Sequence, residues 1–218
     1  MKKFFLLSLV CTFLFTFTSC SFFHYSENLQ EFKQDSDGCI YIDAIKYIPV
    51  NIQDLNAVRC ESKPFGYADN HDNKVYKVTG VDNDEWIFTH QFGLMMGWEV
   101  LYRAEGTREF DFSTFNAEEI RLSVGDIPNP LRNSKIVETI TDVDTVKNVC
   151  DIIRQGEFVA FGDMSLSYLR SVSILSSEHK GLAFIYTLQQ DEQNNIYISS
   201  MMENGGYKIN EIFGYVSR

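Results

Sequence analysis

Thr141-Asp-Val-Asp-Thr-Val-Lys-Asn-Val-Cys-Asp-Ile-Ile-Arg-Gln-Gly156 is the stretch on which the fold class turns. Val146, Val149, Cys150 and Ile153 recur at i, i+3, i+4 and i+7, which lines up one apolar face of a helix over about 143–155. Asp142 or Thr141 is available as N-cap, Gly156 is placed to stop the helix, and Cys150 falls on the buried face.

On either side of this helix the pattern is that of strands. Before it, Cys39–Asp43 and Lys46–Ile52 are β-prone, with Pro49 marking an edge or a bend. Lys74–Thr79, Glu85–Thr89 and Trp98–Tyr102 form a meander punctuated by Gly80, Asp82, Asn83, Gly93 and Gly97. Gly106–Asn116 reads as a connection, in which Glu109, Asp111, Ser113 and Thr114 are set around three phenylalanines. Glu119–Val124 and Ile136–Thr141 follow as strands. After the helix, Phe158–Phe161, Tyr168–Leu175, Leu182–Leu188 and Asn195–Met201 look antiparallel, with Asp191–Asn195 as a hairpin loop. Lys208–Val216 reads as a last strand or a short helix. Many strands with one helix predict an α+β fold, mainly antiparallel sheet, over residues 37–218, and the composition allows two subdomains that meet near 104–116.

The N-terminus is organised differently. Lys2 and Lys3 precede an uncharged apolar stretch, Phe4–Phe17, then the small residues Thr18 and Ser19, then Cys20. This order resembles the lipobox that ends the signal peptide of bacterial lipoproteins, with Phe17 where that family usually carries Leu. The resemblance covers residues 1–20. It implies cleavage after Ser19, diacylglyceration of the Cys20 thiol, and a domain held outside the cytoplasm at the cell membrane or outer membrane. Two acyl chains suffice for stable anchoring, and residues 20–36 read as a tether. An uncleaved signal anchor stays open, because Phe4–Phe23 is an uncharged run of 20 residues and ~20 apolar residues span a bilayer.

The net charge is -11, and loss of residues 1–19 with their two lysines leaves 17 basic against 30 acidic side chains. Such a surface excludes nucleic acid as a partner, which needs a basic face. It suits a basic partner or simply keeps the domain soluble. Cys11 leaves with the signal peptide and Cys20 is lipidated, so Cys39 and Cys60 form the natural disulfide pair of an oxidising compartment.

Catalytic signatures are missing. His24, His71, His90 and His179 are scattered, and neither a His-Glu-x-x-His, a Gly-x-Ser-x-Gly elbow nor a phosphate-cradling glycine loop occurs. Asp69–Asn73 clusters oxygen ligands, with Asp82 and Asp84-Glu85 in the next turn, but it lacks the glycine and distal glutamate of a calcium loop and reads as a solvated turn. No metal or cofactor is expected. The unusual segment is Phe92–Trp98, where Leu94, Met95, Met96 and Trp98 form either a hairpin packed on the core or an exposed recognition loop; Trp86 reads as core. The leading expectation is a membrane-anchored, non-catalytic binding protein whose partner is an envelope protein, a cell-wall component or a basic toxin. The alternative is an envelope hydrolase acting on glycan or peptide through carboxylates that converge only in three dimensions.

Overall fold

The structure is a computed structural model, and it describes residues 29–50, 54–69, 71–82, 84–91, 98–124, 135–200 and 203–213. The signal segment, Cys20 and the Leu94–Met96 stretch of the expected recognition loop lie outside the described residues, as does the side chain of Trp98.

The first half of the chain carries β1 (Gln30–Gln34), β2 (Ile40–Ile42), β3 (Ile45–Pro49), β4 (Leu55–Ala57), β5 (Gly66–Ala68), β6 (Asn73–Lys77), β7 (Trp86–Gln91) and β8 (Trp98–Ala104). All but β4 close into a barrel in the order β1-β2-β3-β8-β7-β6-β5. The closing pair is parallel, with Gln30 opposite Gly66. Residues 30–34, which the sequence assigns to the tether, are therefore a wall of the barrel, and Phe32 is buried inside it.

Strand alternation gives β6, β7 and β8 two buried faces. Val75, Ile87 and Tyr102 fill the barrel, while Tyr76, Phe88 and Leu101 point outward into a second, larger core. That core is shared with a second sheet made of β9 (Glu119–Val124), β10 (Lys135–Ile140), β11 (Phe158–Ala160), β12 (Leu166–Leu175), β13 (Leu182–Asp191), β14 (Ile196–Ser199) and β15 (Gly205–Lys208). Its order is β10-β9-β12-β13-β14-β15-β11. The helix α1 (Val143–Gln155) buries the expected Val146, Val149, Cys150 and Ile153 in the same core, and Asp142 caps it by accepting from the Thr145 N–H at 2.9 Å. Gly156 does end the helix, but at φ -68° and not in the left-handed conformation; a Cβ there would stand 2.3 Å from the Ile152 carbonyl oxygen.

The expectation of an α+β fold is corrected by this architecture, which is mainly β. Among the described residues α1 is the one helix longer than a single turn, α2 (Asn210–Phe213) being four residues long. β1, β4 and β5 leave no mark in the sequence, because they are short and the apolar period around them is weak. The sheets change over between Ala104 and Glu119, where a subdomain boundary was expected. Yet β4 crosses that boundary: it leaves the barrel segment and pairs antiparallel with β13, Leu55 opposite Phe184 and Ala57 opposite Leu182.

Candidate functional site

One edge of β13 is served by two strands placed end to end. β14 pairs with Thr187–Gln190 and β4 with Leu182–Phe184, so the two meet at Ile185 and Tyr186. The junction is held by two hydrogen bonds: the Ile185 N–H donates to the Asp54 carbonyl at 2.8 Å, and the Ser200 hydroxyl donates to Asp54 Oδ1 at 2.6 Å. Asp54 takes φ +64°, a conformation that Asp tolerates better than most residues and that turns its carboxylate toward Ser200.

Beside this junction lies a cavity of about 380 Å³. Its floor is Phe184 and Tyr186 of β13, and Ile153 of α1 closes one side. Tyr207 of β15 and Glu203 just before that strand also line it. The last wall is Phe110, Asp111 and Phe112, from the connection between the two halves.

That connection is fixed in place. Asp111 caps a single 3-10 turn, Phe112–Thr114, by accepting from the Ser113 N–H at 2.9 Å. The Arg154 guanidinium donates to the carbonyls of Phe112 (2.9 Å) and Phe115 (2.8 Å) and lies over the Phe112 ring at 5.2 Å. Phe110 stacks on Trp86 at 5.2 Å and meets His179 at 4.0 Å, while the Phe112 ring stands edge-on to Phe184 at 4.9 Å and Tyr186 at 5.8 Å.

The chemistry of the lining is acidic and aromatic. Three carboxylates, Asp54, Asp111 and Glu203, face it, and none of its described lining residues is basic. The Asp111 carboxyl is held below its usual range by the Ser113 backbone and side-chain hydrogen bonds, so it is ionised at neutral pH. Burial pushes the Tyr186 phenol up, and the nearby charge of Asp54 pushes it in the same direction. Tyr186 is thus neutral at any physiological pH.

Other expected positions are dispersed. Trp86 is core, at 1% exposure. His90 is buried beside Glu99 (Nδ1 to Oε1, 3.2 Å), and His71 packs on Tyr67 at 4.1 Å. Asp84 pairs with Lys77 at 2.6 Å instead of facing a shared cation site, and no cluster of three metal-ligating side chains occurs among the described residues. Cys39 is buried beside the β1–β2 turn and Cys60 is bridged to Val78, with no bond drawn between the two sulfurs. No helix among the described residues is long and apolar enough to cross a membrane.

The sequence pointed to only part of the cavity. The acid-and-phenylalanine composition of Gly106–Asn116 marked that connection as unusual, but Asp54, Tyr186, Glu203 and Tyr207 lie on elements whose meeting depends on the β4–β13 crossover. The chain matches no protein-family model, and no curated protein or solved structure is similar to it.

Proposed function

We propose that the chain is a lipid-anchored extracytoplasmic binding protein, attached through Cys20, whose described domain recognises an envelope partner without chemical turnover. The observation that supports binding is the cavity beside the Asp54–Ser200 junction, which combines aromatic faces with carboxylates on walls contributed by both halves of the fold. Its volume of about 380 Å³ is at the small end of the range of ligand sites. The lipobox resemblance supports the anchor, and the net charge of -11 favours basic partners over anionic ones.

The hydrolase alternative draws on the same three carboxylates. Glycoside hydrolysis needs one carboxyl protonated as general acid and a second one ionised, and Asp111, held below its usual range, suits only the ionised role. Binding asks only for the aromatic and anionic lining that the cavity has.

The test has two parts. Intact mass of membrane-extracted wild type and Cys20→Ser should show loss of residues 1–19 and acyl mass that vanishes in the variant; an unmodified wild-type N-terminus would refute the anchor. Cross-linking on intact cells should recover a partner with wild type; recovery of none from a folded, surface-exposed chain would refute the binding role.

A further inference from the structure

We propose that the cavity between Asp54, Asp111 and Glu203 is a site for an organic cation, an alkylammonium or guanidinium group, presented by a small amine or by a basic side chain of a partner. This deepens the binding-protein reading and rests on it.

Three observations converge on that chemistry. The lining is anionic without a basic residue among its described members, so an anion would be repelled. Arg154, whose charge acts on Asp111, is committed to the carbonyls of Phe112 and Phe115 and does not line the cavity. Asp54, Asp111 and Glu203 share the lining, and among the described residues no group of three such side chains is placed to hold a metal ion. Such a lining suits a larger, delocalised or alkylated cation better than a metal ion. The rings of Tyr186 and Tyr207 in the lining offer what such a cation prefers to hydration, since aromatic rings attract cations more strongly where water is excluded.

The phenol of Tyr186 is the independent sign of a ligand. Tyr186 is 5% exposed and lines the cavity, and its hydroxyl has no hydrogen-bond partner among the described residues. The side chain is more than nine-tenths buried, yet its hydroxyl reaches the open cavity, where a ligand can take up its hydrogen bonds. The charges of Asp54 and Glu203 act on Tyr186 and on Tyr207, which sets all four groups around the same space. An N–H⁺ donor entering that space would find a phenol oxygen and carboxylates as acceptors, with rings on its flanks.

Calorimetric titration of the full chain in detergent tests this with cadaverine, agmatine and tetralysine as cationic probes, and pentanol and glutarate as neutral and anionic controls. The expected result is saturable one-to-one binding of at least one cationic probe and of neither control. Glu203→Gln, at an exposed position, should weaken it at least tenfold, whereas Glu192→Gln, on the distant hairpin loop, should leave it unchanged. Tyr186→Phe should weaken binding severalfold without lowering the thermal midpoint, because it deletes a hydroxyl that the fold does not use. Binding of tetralysine but not the free amines would assign the cation to a basic chain, and the reverse to a small amine. No binding by any cationic probe to folded protein, or equal weakening by Glu203→Gln and Glu192→Gln, would overturn the proposal. If the cell-surface partner were still captured by Glu203→Gln, binding would stand at another place on the surface and only this site would fall.

Discussion

Ser200 donates a hydrogen bond to Asp54 across 146 residues of sequence, and the 2.6 Å contact joins the end of β14 to the start of β4 along one edge of β13. This bond holds the barrel segment and the second sheet in register where the cavity opens. Ser200 is buried and Asp54 half-buried at the cavity wall, so a Ser200→Ala variant takes a donor from the Asp54 carboxylate that water entering the cavity replaces in part. A hydrogen bond to a charged group is worth about 1.5–3 kcal/mol. Urea unfolding should show a loss of roughly 1–2 kcal/mol after partial rescue by solvent, with an unchanged slope. A variant as stable as wild type would mean that this hydrogen bond does not hold the seam.

The same crossover is most sensitive at Gly181. Its carbonyl accepts from the Val58 N–H at 2.8 Å, and a Cβ placed there would lie 2.0 Å from the Thr79 carbonyl oxygen and 2.9 Å from a Val78 methyl carbon. Backbone cannot move aside as a side-chain end can. Gly181→Ala should cost about 3 kcal/mol or more, at the upper end of overpacking effects, read as a fall in urea midpoint or in soluble yield. Gly106→Ala makes the comparison, since nothing lies within 4 Å of a Cβ there and only its φ of +93° is unfavourable. Equal losses at both positions would show that backbone conformation, and not the clash, sets the cost.

These two positions also show where sequence reading stops. The helix was legible because thirteen residues repeat an apolar face at a fixed period, and long strands such as β12 and β13 were legible because β-branched and aromatic residues cluster between turns. β4 is three residues, Leu55-Asn-Ala57, and carries no period at all; its place is fixed by pairing with residues far along the chain. β1 was hidden for a related reason. Its single core residue, Phe32, is the one fully apolar side chain in Gln30–Gln34, and it becomes buried only when the parallel pair with β5 closes the barrel. The cavity inherits this illegibility, because Asp54 and Tyr186 become neighbours only through β4.

The barrel makes a prediction about the cysteines. From Cys39 the path of paired residues runs from Ile40 to Tyr47, then from Ile48 to Arg103, to Trp86, to Val78 and so to Cys60, passing β3, β8 and β7 on the way. Round the other side, Asp35 beside Cys39 lies beyond Phe32, which is level with Ala68, whereas Cys60 precedes Ala68 and runs alongside the far end of β6. A disulfide needs Cα atoms within about 7 Å, and adjacent strands alone are about 4.8 Å apart. Alkylation without reductant, followed by peptide mapping, should therefore label both Cys39 and Cys60 after unfolding. Before unfolding labelling should be slow, because burial pushes the Cys60 thiol up to about 12 and raises Cys39 and Cys150 as well. Recovery of a linked Cys39–Cys60 peptide would show that the oxidised chain packs its barrel differently.

The β13–β14 hairpin should confer a measurable acid sensitivity through Asp191. Burial alone would raise its carboxyl, but the side-chain and backbone donors of Asn195, with the Tyr197 hydroxyl and the Gln193 N–H, hold it below the usual 3.8. Asp191 accepts from Asn195 N (2.7 Å), Asn195 Nδ2 (2.7 Å), Gln193 N (2.9 Å) and Tyr197 Oη (3.1 Å), so one carboxylate organises the whole loop. A group whose pKa is lower in the folded state binds protons more readily when unfolded, so its stabilising contribution is complete above 3.8 and is lost as pH falls through the folded value. Asp191→Asn keeps the shape and removes the charge. The wild type should exceed this variant in urea midpoint by a constant margin from pH 5 to 8, and that margin should shrink progressively below pH 4. Asp35, Asp111 and Asp142 are shifted in the same direction by their own loop and cap hydrogen bonds, so both proteins will lose stability in acid, and the difference between them isolates Asp191. A margin that is the same at pH 3 as at pH 7 would mean that the loop needs the side chain's shape and not its ionisation.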